Sequence, residues 1–150
     1  GVVFQQYALF PWLTVLKNVM FGLKLQGKSD AEAKEIAMKY IKMVQLEDFV
    51  NHYPKELSGG MKRRLSIACA LVENPPFLLM DEPTTALDLY YKESIHQWMK
   101  TYQQKNGIIL MTTHDESEIR NADRCLFMDE GKVQELDAED ILQKFAGMSE

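Results

Sequence analysis

Apolar positions in the first half of the chain repeat mostly at helical spacing. Between residues 13–23 they fall on one face, which predicts a helix. Ser29 followed by Glu32 forms a capping box at the start of a second helix, which runs to about Leu46. A third helix opens at Ser58 and has apolar residues three and four positions apart. The first half is therefore predicted to be mostly helical.

The second half alternates short apolar runs with amphipathic stretches. The runs Phe77–Met80 and Ile108–Met111 indicate buried parallel strands, since such strands are covered on both faces and need not alternate. Between them a helix is predicted from Leu89 to about Asn106, with Gly107 as its C-terminal stop. A hairpin and a final helix follow. This order of elements predicts an α/β layered structure.

The composition excludes several classes of protein. Of the 150 residues 46% are hydrophobic and 26% charged, which is typical of a globular protein with a core. The net charge of −5 argues against nucleic-acid binding through bulk charge, and we expect no nucleic-acid partner. Cys69 and Cys125 lack the spacing of zinc ribbons and redox pairs, so a reducing cytosolic compartment is expected. Apolar runs stay shorter than the roughly 18 residues that a membrane span needs.

Two adjacent carboxylates end the first apolar run of the second half. Asp81 and Glu82 are expected at the carboxyl edge of the parallel sheet, where ligands bind in such sheets. Neighbouring residues of an extended backbone point opposite ways, so one carboxylate can hold hydrated Mg²⁺ while the other orients or deprotonates a water. An acidic loop start that caps the next helix would give the same pattern.

A glycine-containing segment opens the third helix. Ser58 at the N-cap, the bare backbones of Gly59 and Gly60 and the positive end of the helix dipole together suit an anion such as phosphate. An ordinary serine-capped helix start is the alternative. The basic run Lys62–Arg64 that follows is interpreted as a solvated helix face.

A histidine follows the second apolar run closely. His114 is expected at the same sheet edge as Asp81 and Glu82, where it could donate a hydrogen bond to a phosphate oxygen. The other two histidines, His52 and His96, are interpreted as structural.

In this order the motifs resemble the nucleotide-binding domain of ABC transporters, from residue 2 to about residue 135. The matching segments are Gln5 as the Q-loop glutamine, Ala8–Val15 as the stretch before the transporter-contacting helical subdomain, Leu57–Met61 as the signature motif, Phe77–Glu82 as the Walker B strand, Thr85–Asp88 as the D-loop and His114 as the switch histidine. The implied fold is a partial P-loop NTPase core with parallel strands plus an inserted helical subdomain.

Some positions depart from the family's usual pattern. Arg63 stands where glutamine is usual, and Cys69 stands where arginine is usual. Met61 replaces a common glutamine, and together with Phe10–Trp12 it resembles importers of the nitrate, sulfonate and taurine type.

The resemblance implies catalytic roles for four residues. Glu82 would be the general base or water-orienting carboxylate, and Asp81 a Mg²⁺ ligand acting through water. Gln5 would sense Mg²⁺ and the attacking water, and His114 would contact the γ-phosphate of ATP. Positioning and electrostatics supply most of the catalysis in phosphoryl transfer.

Four further residues would act between two subunits. In this family ATP is sandwiched between two such domains, so Ser58, Gly59 and Gly60 would bind the phosphate of ATP on the opposite subunit. Asp88 would line the dimer interface. A second ATP-binding subunit is therefore an expected partner.

The implied function is ATP binding and hydrolysis that powers transmembrane transport, with ATP and Mg²⁺ as cofactors. Permease subunits would be partners, and the protein would be cytoplasmic and peripheral on the inner face of the cell membrane. Two alternatives stay open: a non-catalytic interaction module of the same fold, and a non-transport ATPase of the superfamily.

The resemblance also divides the chain into three parts. Residues 1–7 would hold the end of a core strand and the Q-loop, residues 8–74 the helical subdomain, and residues 75–150 the remainder of the ATPase core.

A literal match to the phosphate-cradling loop occurs at an unexpected place. The family's loop should lie upstream of Gln5, whereas Gly22–Ser29 lies downstream in a region of helical period, and its last residue is explained by the capping box. We interpret this match as a helix end and expect the true loop before Gly1. The isolated chain is accordingly predicted neither to bind ATP tightly nor to hydrolyse it.

Overall fold

The computed structural model describes the backbone of residues 2–3 and the whole of residues 8–148. In chain order its elements are β1 (Val2–Val3), α1 (Val15–Leu25), α2 (Asp30–Met43), α3 (Gly59–Leu71), β2 (Phe77–Asp81), α4 (Leu89–Gln104), β3 (Ile108–Thr112), α5 (Glu116–Asn121), β4 (Cys125–Asp129), β5 (Lys132–Leu136) and α6 (Ala138–Met148), with 3-10 turns at Glu47–Phe49 and Pro54–Glu56. The predicted α/β class is confirmed.

The chain forms two compact units, Gly1–Thr112 and Thr113–Glu150. The first holds a parallel sheet with α1 to α4, and the second holds a hairpin with α5 and α6. The three-part division expected from the resemblance stays a prediction. Helices α1 to α6 are each too short or too polar to cross a membrane in the part of the chain that the structure describes.

Side-chain caps start the helices of the first half. The Ser29 hydroxyl accepts the Glu32 N–H at 3.3 Å, and the Glu32 carboxylate accepts the Ser29 N–H at 3.0 Å, which confirms the capping box. Ser58 caps α3 as predicted, since its hydroxyl accepts the Met61 N–H at 3.2 Å. Helix α1 begins two residues later than expected, after Thr14.

The core of the first unit lies between α1, α2, α3, α4 and one face of the sheet. Its fully buried side chains include Val15, Val19, Leu23, Ile41, Leu65, Ile67, Leu71, Leu78, Met80 and Ile95. These residues recur at helical spacing on α1 and α3, which is why the period of the sequence located those helices.

The sheet of the first unit is parallel, in the order β1-β2-β3. The prediction that its strands are buried on both faces is wrong for the described residues. Leu78 and Met80 are buried, but Phe77 is 46% exposed and Ile108 61% exposed. The cause is that the core cluster covers only one face of β2 and β3.

Gly107 lies in the turn that follows α4, but it does not supply the left-handed residue expected of a glycine stop, and its missing side chain instead leaves room for an aromatic ring. The left-handed residue of this turn is Asn106, with φ +64°, and the Gly107 N–H donates to the Tyr102 backbone oxygen at 3.0 Å. A Cβ on Gly107 would overlap the buried Tyr102 ring.

The second unit has its own small core. Strands β4 and β5 pair antiparallel with Cys125 opposite Leu136, which confirms the predicted hairpin. Ile119, Phe127 and Ile141 are buried between the hairpin, α5 and α6.

Candidate functional site

The two predicted carboxylates lie at the carboxyl end of β2. Asp81 is the last residue of the strand and pairs in register with Thr112 of β3. The Thr112 hydroxyl donates to Asp81 Oδ1 at 2.5 Å and accepts the Glu82 N–H at 3.1 Å. Thr85 donates to Glu82 Oε2 at 3.3 Å. Threonine hydroxyls thus orient both half-buried carboxylates.

The backbone at Glu82 has an uncommon conformation. Its φ is +44°, in the left-handed region that costs a residue with a Cβ about 1 kcal/mol or more. Such a conformation persists only when the surrounding structure holds it. One support is the Thr112 backbone oxygen, which accepts the Glu82 N–H at 3.1 Å.

The other support is Arg63 of α3, which the sequence did not single out for this role. Its guanidinium donates to the backbone oxygens of Asp81 at 2.9 Å and Pro83 at 3.3 Å, and also to that of Glu82. Arg63 is only 4% exposed, so the prediction that Lys62–Arg64 is a solvated face is wrong for this residue. The helical period carried a usable signal, because residue 63 precedes the buried residues 67 and 71 by four and eight positions.

Arg64 is also tied into the structure. Its Nη1 donates to the Val44 backbone oxygen at 2.8 Å, and its guanidinium carbon lies 3.8 Å from the centre of the Tyr91 ring. Such stacking of a cation on an aromatic face is favourable. Arg64 therefore joins α3 to the end of α2 and to α4, whereas Arg63 joins α3 to the end of β2.

Ser58, Gly59 and Gly60 lie where the sequence predicts them, at the N-terminus of α3. Ser58 and Gly59 are exposed. Apart from the two chain neighbours of Gly60 and the adjacent backbone of its own helix, no heavy atom of the described residues lies within 4 Å of the position a Cβ would take on Gly60. The first turn reads Gly-Gly-Met-Lys, with no acidic residue along this fully described helix start. The positive end of the helix dipole is therefore open to an anion.

Asp88 is exposed and caps α4, since its carboxylate accepts the Tyr91 N–H at 3.2 Å. The segment between Glu82 and Asp88 holds the buried Thr84 and a left-handed Ala86 at φ +64°. This cap gives the predicted interface residue a structural role as well.

Two further residues, His114 and Gln5, are also predicted to belong to the site. His114 belongs to the second unit, where its exposed ring lies 5.8 Å from the centre of the Phe145 ring. The next residue, Asp115, caps α5 through the N–H of Ser117 at 2.9 Å. Gln5 lies outside the described residues. Within the first unit, the described residues that contact Asp81 and Glu82 include Thr112 and Arg63.

The phosphate-loop match at Gly22–Ser29 is a helix end, as interpreted from the sequence. Its first four residues complete α1, and Gly27 turns the chain with φ +84°. Gly22 is buried, and the Glu73 side chain packs so closely against it that a Cβ at this position would overlap the Glu73 carboxylate. The Ser29 hydroxyl is engaged in the capping box.

Neither cysteine is prepared for thiolate chemistry. Burial, reinforced by the Glu73 carboxylate, raises the pKa of Cys69 to about 12. Burial and, to a smaller extent, Asp137 raise the pKa of Cys125. Since the thiolate is the reactive form, both side chains remain protonated at neutral pH.

Comparison with known proteins decides the family. Residues 1–85 match the family model described as ABC transporter. The chain belongs to the ABC transporter ATP-binding family. This ABC chain is 51% identical over 119 residues to the nitrate import ATP-binding protein NrtD of Synechocystis, covering 79% of the chain and 45% of that protein. It is 43% identical over 147 residues to the spermidine/putrescine import ATP-binding protein PotA of Roseobacter denitrificans, covering 96% of the chain and 40% of that protein.

Solved structures of the family have the same fold. The dimeric structure of a post-hydrolysis state of the ATP-binding cassette MJ0796, bound to ADP and Pi, superposes with a TM-score of 0.85 at 38% identity. The match covers 92% of the ABC chain and 62% of that chain. Compared with the curated relatives NrtD and PotA, the ABC chain spans about half of their length. The predicted family and fold are confirmed.

The oxygens at the end of β2 fit a hydrated Mg²⁺. Mg²⁺ prefers oxygen ligands and keeps several of its waters, so it is usually held by one or two carboxylates. Asp81 and Glu82 supply such oxygens, and the hydroxyls of Thr112 and Thr85 hold them.

Proposed function

We propose that this chain forms part of the ATP-binding and ATP-hydrolysing subunit of an ABC transporter. The observation that carries the proposal is the end of β2, where Asp81 and Glu82 are held between Thr112 and Arg63. Arg63 lies on α3, the helix that Ser58 caps and that begins at Gly59, and both of these residues are exposed. A carboxylate pair and an anion-binding helix start are thereby joined in one unit.

In this proposal the two carboxylates divide the work. Asp81 holds Mg²⁺ through water, and the bound ion supplies charge neutralisation at the phosphates of ATP. Glu82 orients and accepts a proton from the attacking water. Its fixed backbone supports this role, because a water-orienting group contributes most when it needs no rearrangement during the reaction.

The proposal extends to contacts across a dimer. Ser58, Gly59 and Gly60 bind the phosphates of ATP held by a second subunit, and Asp88 lines the interface between the two. The exposure of the α3 N-terminus supports this arrangement, as does the dimeric structure of the related cassette MJ0796. His114 contacts the γ-phosphate, and Gln5 senses Mg²⁺ and the attacking water.

We further propose that the partners are permease subunits and that the protein lies on the cytoplasmic face of the membrane. The names of NrtD and PotA both describe import, which supports an importer. Among importers, the identity to NrtD together with Met61 and Phe10–Trp12 supports the nitrate, sulfonate and taurine type.

The proposal is tested in a hybrid in which the matching segment of this chain replaces that of the Synechocystis nitrate import protein. The hybrid is expected to hydrolyse ATP with Mg²⁺. Glu82→Gln should lower kcat roughly 100- to 10,000-fold, because it removes the proton acceptor. ATP binding, measured by calorimetry, should persist in this variant.

Glu93→Gln is the matched control, since it makes the same chemical change at an exposed position of α4. Its kcat should equal that of the hybrid. The chain by itself is expected to show neither heat on titration with MgATP nor hydrolysis. A folded hybrid that binds ATP without hydrolysing it would favour the alternative, a non-catalytic interaction module of this fold.

A further inference from the structure

One buried guanidinium contacts three successive backbone oxygens at the end of β2. Arg63 Nη2 donates to the oxygens of Asp81, at 2.9 Å, and of Glu82, while its Nε donates to that of Pro83 at 3.3 Å. A planar guanidinium presents its donors in a rigid fork, so its contacts restrict the orientation of several peptide groups together. The backbone from Asp81 to Pro83 is therefore held as one piece.

The peptide groups on the two sides of Glu82 are held by different elements. Its N–H donates to Thr112 of β3, and its carbonyl oxygen accepts from Arg63 of α3. This support explains how a residue with a Cβ keeps a φ of +44°. Because the direction of a side chain follows from its backbone, the same contacts set where the Glu82 carboxylate points.

Arg63 lies five residues after Ser58, on one continuous α-helix. Five residues of helix rise about 7.5 Å, so a short stretch of hydrogen-bonded helix connects the Ser58–Gly60 segment to Arg63. A displacement of the Ser58–Gly60 segment therefore displaces Arg63 and the backbone oxygens it holds. Thr112 stays with β3, so such a displacement alters the backbone of Glu82.

We propose that Arg63 is a positioning residue that holds the Glu82 backbone from α3 and so links the Ser58–Gly60 segment to the water-orienting carboxylate. This inference rests on the proposed function. In the proposed dimer, Ser58–Gly60 contacts ATP on one subunit while Glu82 serves the ATP of its own subunit. Arg63 then couples the two ATP sites through a single helix.

The first test uses the full chain and needs no catalysis. Amide hydrogen exchange at Glu82, followed by NMR, should accelerate at least about tenfold in Arg63→Met, because the variant releases three carbonyl groups. Arg63→Lys keeps the charge without the fork and should give an intermediate rate. Arg63→Gln, the residue usual in the family, provides a second variant if Arg63→Met does not fold.

Arg64→Met is the matched control for this test. It removes a neighbouring arginine that bonds to Val44 and Tyr91 and does not touch the end of β2. Its effect on exchange should be no larger at Glu82 than elsewhere in the first unit. An equal acceleration in Arg63→Met and Arg64→Met, or none in either, would overturn the proposal.

The second test uses the hybrid. Arg63→Met should lower kcat at least about tenfold with the KM for ATP within twofold, and it should reduce the Hill coefficient for ATP. Arg63→Lys should restore part of kcat. Equal losses in kcat and ATP binding would mean a merely structural role. If the hybrid itself hydrolyses no ATP, the proposed function fails, whereas the exchange measurement still decides whether Arg63 holds Glu82.

Discussion

Two segments of this chain combine glycine, serine and lysine next to a helix start: Gly22–Ser29 before α2 and Ser58–Lys62 at the start of α3. They differ in the charge that lies next to the helix N-terminus. Ser29 and Ser58 both cap helices, with hydrogen bonds of 3.3 and 3.2 Å to the N–H three residues on. At α2, however, the first turn contains Asp30 and Glu32, and the Glu32 carboxylate bonds to Ser29. At α3 the corresponding turn reads Gly-Gly-Met-Lys.

The electrostatics of the two helix starts are therefore opposite. Glu32 places a negative charge on the orphan N–H groups of α2, where an incoming phosphate would have to compete with it. The N-terminus of α3 keeps its positive end open, and Gly59 and Gly60 add no side chain in front of it. The Gly22–Ser29 segment, although it matches the phosphate-loop motif, is thus less suited to an anion than the start of α3. The reason is that acidic residues occupy the first turn of α2 and none occupies that of α3.

The largest effect on ATP hydrolysis is expected from placing an acidic residue in the first turn of α3, as α2 has in its first turn. In the hybrid, Gly60→Glu should lower ATP hydrolysis about 100-fold, because a carboxylate then occupies the proposed phosphate site. The new side chain has room at this position, and an acid in the first turn favours the helix. Stability to urea should accordingly hold or rise while activity falls.

Gly60→Gln is the neutral control and should lose less activity than Gly60→Glu. On the other segment, Lys28→Ala should leave MgATP binding and hydrolysis by the hybrid unchanged. Loss of ATP binding in Lys28→Ala would reverse the comparison and make Gly22–Ser29 the phosphate loop.

A medium effect is expected from removing the cap of α2. Ser29→Ala should lower the free energy of unfolding of the chain by about 1 kcal/mol, measured by urea denaturation, because it leaves a helix N–H without its side-chain acceptor. The hybrid with Ser29→Ala should keep its ATPase activity per folded molecule. Ser58→Ala makes the same change at α3 and should reduce both the free energy of unfolding and the ATPase activity. Equal losses of ATPase activity in the two variants would contradict the proposal that only the start of α3 binds phosphate.

The smallest effect concerns pH. Hydrogen bonds from the backbone and side chain of Ser29 lower the pKa of Glu32 from its usual value of 4.5. A lowered pKa means that Glu32 stabilises the fold above about pH 4.5 and that this contribution is lost as pH falls through the folded-state pKa. The stability difference between the chain and Glu32→Gln should shrink on acidification in this range. A difference that is constant from pH 7 to pH 3 would show that the capping box carries no such linkage.

Predictions that rest on neighbouring residues were the most successful ones. The capping box at Ser29, the cap at Ser58 and the strand predicted over Phe77–Met80 each depend on a few consecutive positions. The missed features involve residues far apart in the chain. Arg63 and Thr112 contact the end of β2 from 18 and 31 positions away from Asp81, and the period of 3.6 shows only that residue 63 faces inward.

The family, the order of helices and strands, and the caps at Ser29 and Ser58 could be predicted from the sequence, because local backbone geometry and motif order decide these properties. Three features became visible only in the folded chain: the burial of Arg63 beneath Glu82, the coverage of β2 and β3 on one face in the described residues, and the orientation of Asp81 by Thr112. Those outcomes depend on which elements pack together, and a charged or apolar side chain takes its role from the groups that surround it.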